Sequence, residues 1–259
     1  MTELLQVSHL GKRFGGVQAV ADVSFSLRRG EVLALIGPNG AGKTTTFNMV
    51  GGQLRADAGS VRLSGTELVG KLPREIWRLG VGRTFQIAET FASLTVVENV
   101  QMALLSAAGR TFSLWQKARD FRRDEALALL ALVGMQAQAD RPCSELAYGD
   151  VKSVELAIAM AHQPALLLMD EPTAGMAQAE RHQLMALTQR LARERDMAVL
   201  FTEHSMDVVF AYADRIIVLA RGSLIAEGSP DEVRSNPEVQ AVYLGKGSTN
   251  KAATNEEAA

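Results

Sequence analysis

EVLALIGPNGAGKTTTFNMVGG, residues 31–52, is the stretch on which the fold turns. After one acid it opens with an unbroken apolar run, the mark of a strand covered on both faces. It then enters a glycine-rich turn, GPNGAGKTT at residues 37–45, and continues as KTTTFNMV, a helix stopped by the pair Gly51-Gly52. The turn matches G-x-x-x-x-G-K-[ST] and stands between strand and helix, the context that this phosphate-binding motif requires. Its glycines let backbone N–H groups point inward around phosphate oxygens, and the helix N-terminus adds positive potential. Gly37, Pro38, Asn39, Gly40, Ala41, Gly42, Lys43, Thr44 and Thr45 are therefore the expected nucleotide cradle. Lys43 would bring a point charge to the β- and γ-phosphates, and the Thr44 hydroxyl would ligate Mg²⁺.

From Ala165 the strand–helix pattern repeats: strand ALLLMD, a helix to about Arg195, strand MAVLFT, a short helix, strand RIIVLA. Such alternation implies a parallel sheet with helices on its faces, an α/β class. Nearer the N-terminus, Leu5 and Val7, then Val23, Phe25 and Leu27, alternate as half-buried strands do. ARGSLIAEG reads as a hairpin turned at Arg221-Gly222-Ser223, and Ser229-Pro230-Asp231-Glu232 as a capping box with proline at the first helical position. Residues 89–161 lack strand patterns. Thr95 can cap a helix VVENVQMALL, and DEALALLALVG makes another ending at Gly134. These form an expected helical subdomain inserted into a cassette of residues 1–245. Within it, residues 109–123, GRTFSLWQKARDFRR, carry five basic residues, one acid and three aromatics. They suit a solvated amphipathic helix or a surface for membrane headgroups or a partner's loop.

Composition sets the outer limits. Hydrophobic residues are 47% and charged residues 22% of 259, enough apolar mass for a real core. With 27 Lys and Arg against 29 Asp and Glu, the net charge is −2. No global basicity points to nucleic acid, and none is expected as a partner. The single Cys143 allows neither an internal disulfide nor a zinc-site spacing, so a reducing compartment is expected. The start MTELLQVSHLGKRF has no basic, then apolar, signal pattern. No window approaches the roughly 18 apolar residues of a membrane span, so any membrane role is expected to run through a partner. The tail, residues 246–259, is polar and expected to be disordered.

LLLMDE supplies a second half of the nucleotide site. Asp170 ends an apolar strand, placed to hold Mg²⁺ directly or through water. Glu171 follows on the γ-phosphate side, where a carboxylate can orient and polarise a water. A strand ending in two acids can also merely cap the next helix. Beside the glycine-rich turn, nucleotide triphosphate hydrolysis is the better reading.

Further stretches point one way: RTFQ ending in Gln86, SELAYGD at residues 144–150, DEPTAG, and LFTEHSMD with His204 past the next strand. In this order the motifs resemble the ATP-binding subunits of ABC transporters, from about Leu4 to Leu244. KRFGGVQAV, GRTFQIAETFASLTVVENV, DEPTAGM and LFTEHSMDVVFAYADRIIVLARGSLIAEGSP look closest to the branched-chain (hydrophobic) amino acid uptake branch. The implied fold is a P-loop NTPase with a RecA-like sheet core, an N-terminal antiparallel β subdomain and an inserted α-helical subdomain.

The resemblance also implies roles. Phe14 would stack on adenine, Gln86 would complete the Mg²⁺ and water shell, and His204 would contact the γ-phosphate and align the water with Glu171. Ala147, Tyr148, Gly149 and Asp150 would form a signature that touches the nucleotide of a second cassette, self or sister, in a head-to-tail dimer around two ATP. The pair would sit at the cytoplasmic face of the inner membrane, under permease subunits fed by an extracytoplasmic binding protein, and would power uptake of branched-chain or other hydrophobic amino acids or related small amides. Two departures stand out. Ala177 occupies a position where the family usually has Asp or Asn, which puts polar cross-talk between the two sites in doubt or moves it to backbone groups or Gln178. Ala147 removes a serine hydroxyl, leaving backbone N–H groups and the helix dipole to meet the phosphate. Asp150 is expected to turn inward and cap its own helix, with Lys152 offsetting its charge. Two other classes stay open: a soluble ABC-type ATPase acting on DNA or ribosomes, and a weakly hydrolytic regulatory cassette. The chain lacks the long coiled coils, tandem cassettes or basic arms usual in the first. Lys43, Asp170, Glu171 and His204 weigh against the second.

Overall fold

The computed structural model describes residues 3–84, 90–109 and 121–244. Two sheets organise them. The larger has strand order β10-β9-β3-β8-β7-β6, built from β3 (Val32–Ile36), β6 (Val81–Thr84), β7 (Leu166–Asp170), β8 (Ala198–Thr202), β9 (Arg215–Ala220) and β10 (Ser223–Gly228). The first five run parallel and β10 returns antiparallel on β9. Every residue of β3 and β8 is buried, as strands covered on both faces demand. The smaller sheet is antiparallel, in the order β2-β1-β4-β5: β1 (Glu3–Phe14), β2 (Val17–Arg28), β4 (Ala58–Leu63) and β5 (Thr66–Glu67). Val23, Phe25 and Leu27 alternate inward on β2 as their spacing requires. The expected α/β fold holds, with its sheet core, its N-terminal antiparallel β unit and its inserted helices.

Two buried clusters flank the large sheet. One joins the small sheet and α1 (Lys43–Val50) to the faces of β3, β7, β8 and β9, through Leu33, Leu35, Phe47, Leu166, Leu168 and Leu200. The other joins the opposite faces of those strands to α3 (Val96–Ala107), α4 (Arg123–Leu132), α5 (Tyr148–Met160), α6 (Gln178–Glu194) and α7 (Met206–Tyr212). Helices α3, α4 and α5 lie in sequence between β6 and β7 and pack on one another.

Two of the expected helix starts form their capping boxes. Thr95 accepts from the Glu98 N–H, and Glu98 accepts from the Thr95 N–H, so two orphan donors are satisfied reciprocally. Ser229 and Glu232 do the same for α8 (Pro230–Ser235), with Pro230 first in the helix. The hairpin turns at Arg221 and Gly222, both at positive φ, the geometry of a two-residue turn matched to strand twist. Between α1 and residue 89, where the sequence shows no clear pattern, the structure forms β4, β5, α2 (Pro73–Arg78) and β6. Of the basic–aromatic stretch, residues 110–120 lie outside the described residues, as does the tail beyond 244. At its described end Phe121 is core and its carbonyl accepts from Gln101, while Arg122 is exposed and Arg123 pairs at the surface with Asp140.

Candidate active site

At the C-terminal ends of β3, β7 and β8, the parallel sheet brings three turns together, as open α/β sheets do with their ligand sites. The first is residues 37–42. A Cβ on Gly37 would lie 2.2 Å from the Leu219 carbonyl oxygen, and one on Gly42 would lie 2.6 Å from that of Ala19. No other residue fits at either position without moving backbone. The β9–β10 turn braces the loop from outside, with the Gly222 N–H on the Ala41 carbonyl at 3.0 Å. Lys43, 7% exposed, folds its ammonium onto the Gly37 carbonyl at 2.7 Å and the Pro38 carbonyl at 3.2 Å. Burial pushes its pKa down, while the charges of Glu171 and Asp170 pull it back. Thr44 and Thr45 follow in the first turn of α1. The Gly37 backbone also meets Tyr243 of α9 (Pro237–Leu244). Loss of solvent pushes this phenol up to about 12, although the Gly37 hydrogen bond acts the other way.

The second and third turns follow β7 and β8. Asp170 Oδ1 accepts from the Thr202 hydroxyl at 2.7 Å, and Oδ2 lies 3.7 Å from the Arg83 guanidinium. Arg83, on β6, also donates to Asn48 of α1 and lies over the Phe47 ring at 4.9 Å. Glu171 adopts φ 46°, a left-handed conformation that costs a non-glycine residue on the order of 1–3 kcal/mol. Its N–H donates to both the carbonyl and the hydroxyl of Thr202, at 3.1 Å each, which holds it there. Its Oε1 lies 3.0 Å from His204 Nε2. The two side chains expected to share the water are thus in contact, with His204 the more exposed of the two.

Phe14 ends β1, half-exposed, with the Lys12 ammonium 5.6 Å from its ring centre. Asp57 ties this strand end down by accepting from Lys12 and from the Arg13 N–H, both at 2.8 Å. Gln86 lies outside the described residues.

The signature stretch requires a correction. Asp150 is not the N-cap: α5 starts at Tyr148, with Ala147 extended at the cap position. Asp150 is the third helical residue, where a carboxylate still favours the positive end of the helix dipole. Lys152 does not serve as its counter-charge. It is buried and pairs with Glu155, 3.1 Å away along the same helix. Gly149 lies close to a neighbour: a Cβ there would approach the Glu180 carboxyl carbon to 3.1 Å, tight enough that this side chain would have to shift slightly. Glu180 accepts from the N–H of Ala177, which caps α6 without a side-chain oxygen. Tyr148 lies against the same loop, 3.5 Å from where a Cβ on Gly175 would stand.

Sequence reasoning passed over Thr202, Arg83, Asn48 and Tyr243. Thr202 lay within the quoted LFTEHSMD, but its pairing with Asp170 across two strands is visible only in the sheet register. Hard oxygen donors at Asp170 and Thr44 suit Mg²⁺, which takes one or two carboxylates and completes its shell with phosphate oxygens and water.

The site and fold define a nucleotide-hydrolysing cassette, and the comparisons agree. The family model for "ABC transporter" matches residues 20–174, and that for "Branched-chain amino acid ATP-binding cassette transporter" matches residues 223–248. The chain belongs to the ABC transporter family and is an ATPase of its branched-chain amino acid branch. The high-affinity branched-chain amino acid transport ATP-binding protein LivG of Salmonella typhimurium is 39% identical over 251 residues, 94% of this chain and 98% of the relative. BraF of Pseudomonas aeruginosa, described in the same words, is 38% identical over 250 residues, again covering 94% and 98%. A crystal structure of an ATP-binding cassette of an ABC transporter in its ADP conformation superimposes with a TM-score of 0.85. It is 30% identical, covering 95% of this chain and all of that one.

Proposed function

We propose that this chain powers the uptake of branched-chain or other hydrophobic amino acids, working as one of two cassettes beneath a pair of permease subunits. The observation that carries this reading is the match to LivG along 94% of the chain, joined to the C-terminal match peculiar to that branch. Among the described residues no helix is long and apolar enough to cross a membrane. In this reading passage of the cargo falls to the permeases. An extracytoplasmic binding protein would deliver the amino acid on the far side, with this chain at the cytoplasmic face.

In this reading Phe14 stacks on adenine, residues 37–45 wrap the phosphates, and Lys43 exchanges its two loop carbonyls for phosphate oxygens. Thr44 and Asp170, with Gln86, would hold Mg²⁺, which neutralises phosphate charge when bound. Glu171 orients and polarises the attacking water, and His204, already in contact with it, fixes its direction. Ala147, Tyr148, Gly149 and Asp150 present a helix N-terminus to the nucleotide of the opposing cassette. The loss of one serine hydroxyl is offset there by backbone N–H groups.

The test is affinity capture of the tagged chain from detergent-solubilised membranes, followed by reconstitution. Recovery of two permease polypeptides and ATP-dependent uptake of leucine, isoleucine or valine supports the reading. Recovery with ribosomes or DNA and no permease contradicts it.

A further inference from the structure

Glu203 stands between Thr202 and His204 and is 3% exposed, yet the reading above gives it no part. Its Oε1 accepts from both the N–H (2.9 Å) and the hydroxyl of Thr173. Its Oε2 accepts from the N–H groups of His204 (3.0 Å) and Ser205 (3.3 Å). All four partners are donors. A carboxylate only accepts, so Glu satisfies the whole set, whereas the amide of an isosteric Gln would set its own N–H groups against the Thr173 N–H or against those of His204 and Ser205.

What these bonds connect gives them their meaning. Thr173 lies two residues beyond Glu171, in the turn that holds that residue at positive φ. His204 and Ser205 form the turn after β8. One buried side chain thus clamps the turn carrying the carboxylate to the turn carrying the imidazole. A second strap runs parallel to it: Arg181 of α6 donates through Nε to the Met176 carbonyl at 2.8 Å and through Nη1 to the Ser205 hydroxyl at 3.1 Å. Both straps tie together the turns that carry the 3.0 Å contact between Glu171 and His204.

We propose that Glu203 is a positioning residue for hydrolysis, which sets the separation and orientation of Glu171 and His204 by locking their two turns together. It touches neither nucleotide nor water; its effect passes through His204. The proposal rests on the assignment of Glu171 and His204 to the attacking water, so those residues serve as its control.

The experiment measures steady-state hydrolysis of Mg-ATP, equilibrium nucleotide binding and melting temperature for Glu203→Gln, His204→Ala and the double variant. Glu203→Gln is expected to lower kcat about 10- to 100-fold, the scale of a misplacement near 1 Å, with KM and nucleotide affinity within about twofold. In the His204→Ala background the same substitution should cost about threefold or less, because the residue it positions is gone; such non-additivity marks groups that act as a unit. Should Glu203→Gln fail to fold, Thr173→Val removes a single donor from the clamp and is read in the same cycle, with an expected kcat loss of about three- to tenfold. A lowered melting temperature with kcat retained overturns the proposal, and so does an equal fold-loss in both backgrounds. If Glu171→Gln and His204→Ala themselves leave the rate intact, the assignment of the water-handling pair fails instead, and the two failures are told apart.

Discussion

Around residues 37–45, conformation is enforced by the backbone. Gly37 and Gly42 press against the carbonyls of Leu219 and Ala19, and the Gly222 turn closes over them. Around residues 170–205, conformation is enforced by side-chain hydrogen bonds, most of them from distant sequence: Thr202 on Asp170 and Glu171, Glu203 on Thr173, Arg181 on Met176 and Ser205. The first kind of construction makes a rigid cup, suited to holding a phosphate chain in one fixed position. The second makes two turns whose relative placement can be tuned, which suits the proposed role of Glu171 and His204 in handling the water. Binding and turnover should therefore separate along this division.

Lys43→Ala puts that separation to its severest test. It should lower nucleotide affinity and hydrolysis together, each by about a hundredfold or more, measured with a fluorescent ATP analogue and by phosphate release. Loss of turnover with affinity unchanged would erase the distinction between the two halves. Thr202→Val removes the hydroxyl from Asp170 and from the Glu171 N–H while keeping shape. It should cut kcat about 10-fold or more, with affinity changed about threefold or less, as loss of hydrogen bonds to charged groups implies. Asp150→Ala should cost about 0.3–1 kcal/mol through the helix dipole, which in a chain of this size is about 1–4 °C of melting temperature. A faster rate with unchanged melting would place its carboxylate against the nucleotide instead.

Asp57→Asn acts at the strand end beside Phe14 and should have the smallest effect. Hydrogen bonds from Lys12 and from the Arg13 N–H hold the Asp57 pKa below its ordinary 3.8. A depressed carboxylate contributes stability that is complete above the unfolded value and is lost as pH falls through the folded one. The wild-type chain should therefore lose this contribution only below about pH 3.8, and Asp57→Asn should lack it at neutral pH. Melting curves at pH 7 and pH 3 check this, with the difference between the two chains narrowing at the lower pH.

The same division explains what could be read without coordinates. The cup announces itself because its constraint is steric: glycines at fixed spacing, one lysine, one threonine, between an apolar run and a helix. Asp170, Glu171 and His204 were legible as strand-end residues in an ordered set of motifs. Glu203 and Thr202 were not, because their partners lie about thirty residues away and only the pairing of β7 with β8 brings them together. Asp150 misled for the opposite reason. Local propensity makes Asp a good cap, but the start of α5 is set by the extended backbone at Ala147, with Gly149 packed against Glu180. Short elements such as β5 and β6 carry too few residues for periodicity to speak.

In the proposed reaction Glu171 is the residue that activates water. The most direct test of that role is the Glu171→Gln variant, assayed for phosphate release and run by size-exclusion chromatography with and without Mg-ATP. We expect hydrolysis to fall to background, nucleotide binding to persist, and an ATP-dependent dimer to accumulate. An ATPase rate equal to the wild type would contradict the account.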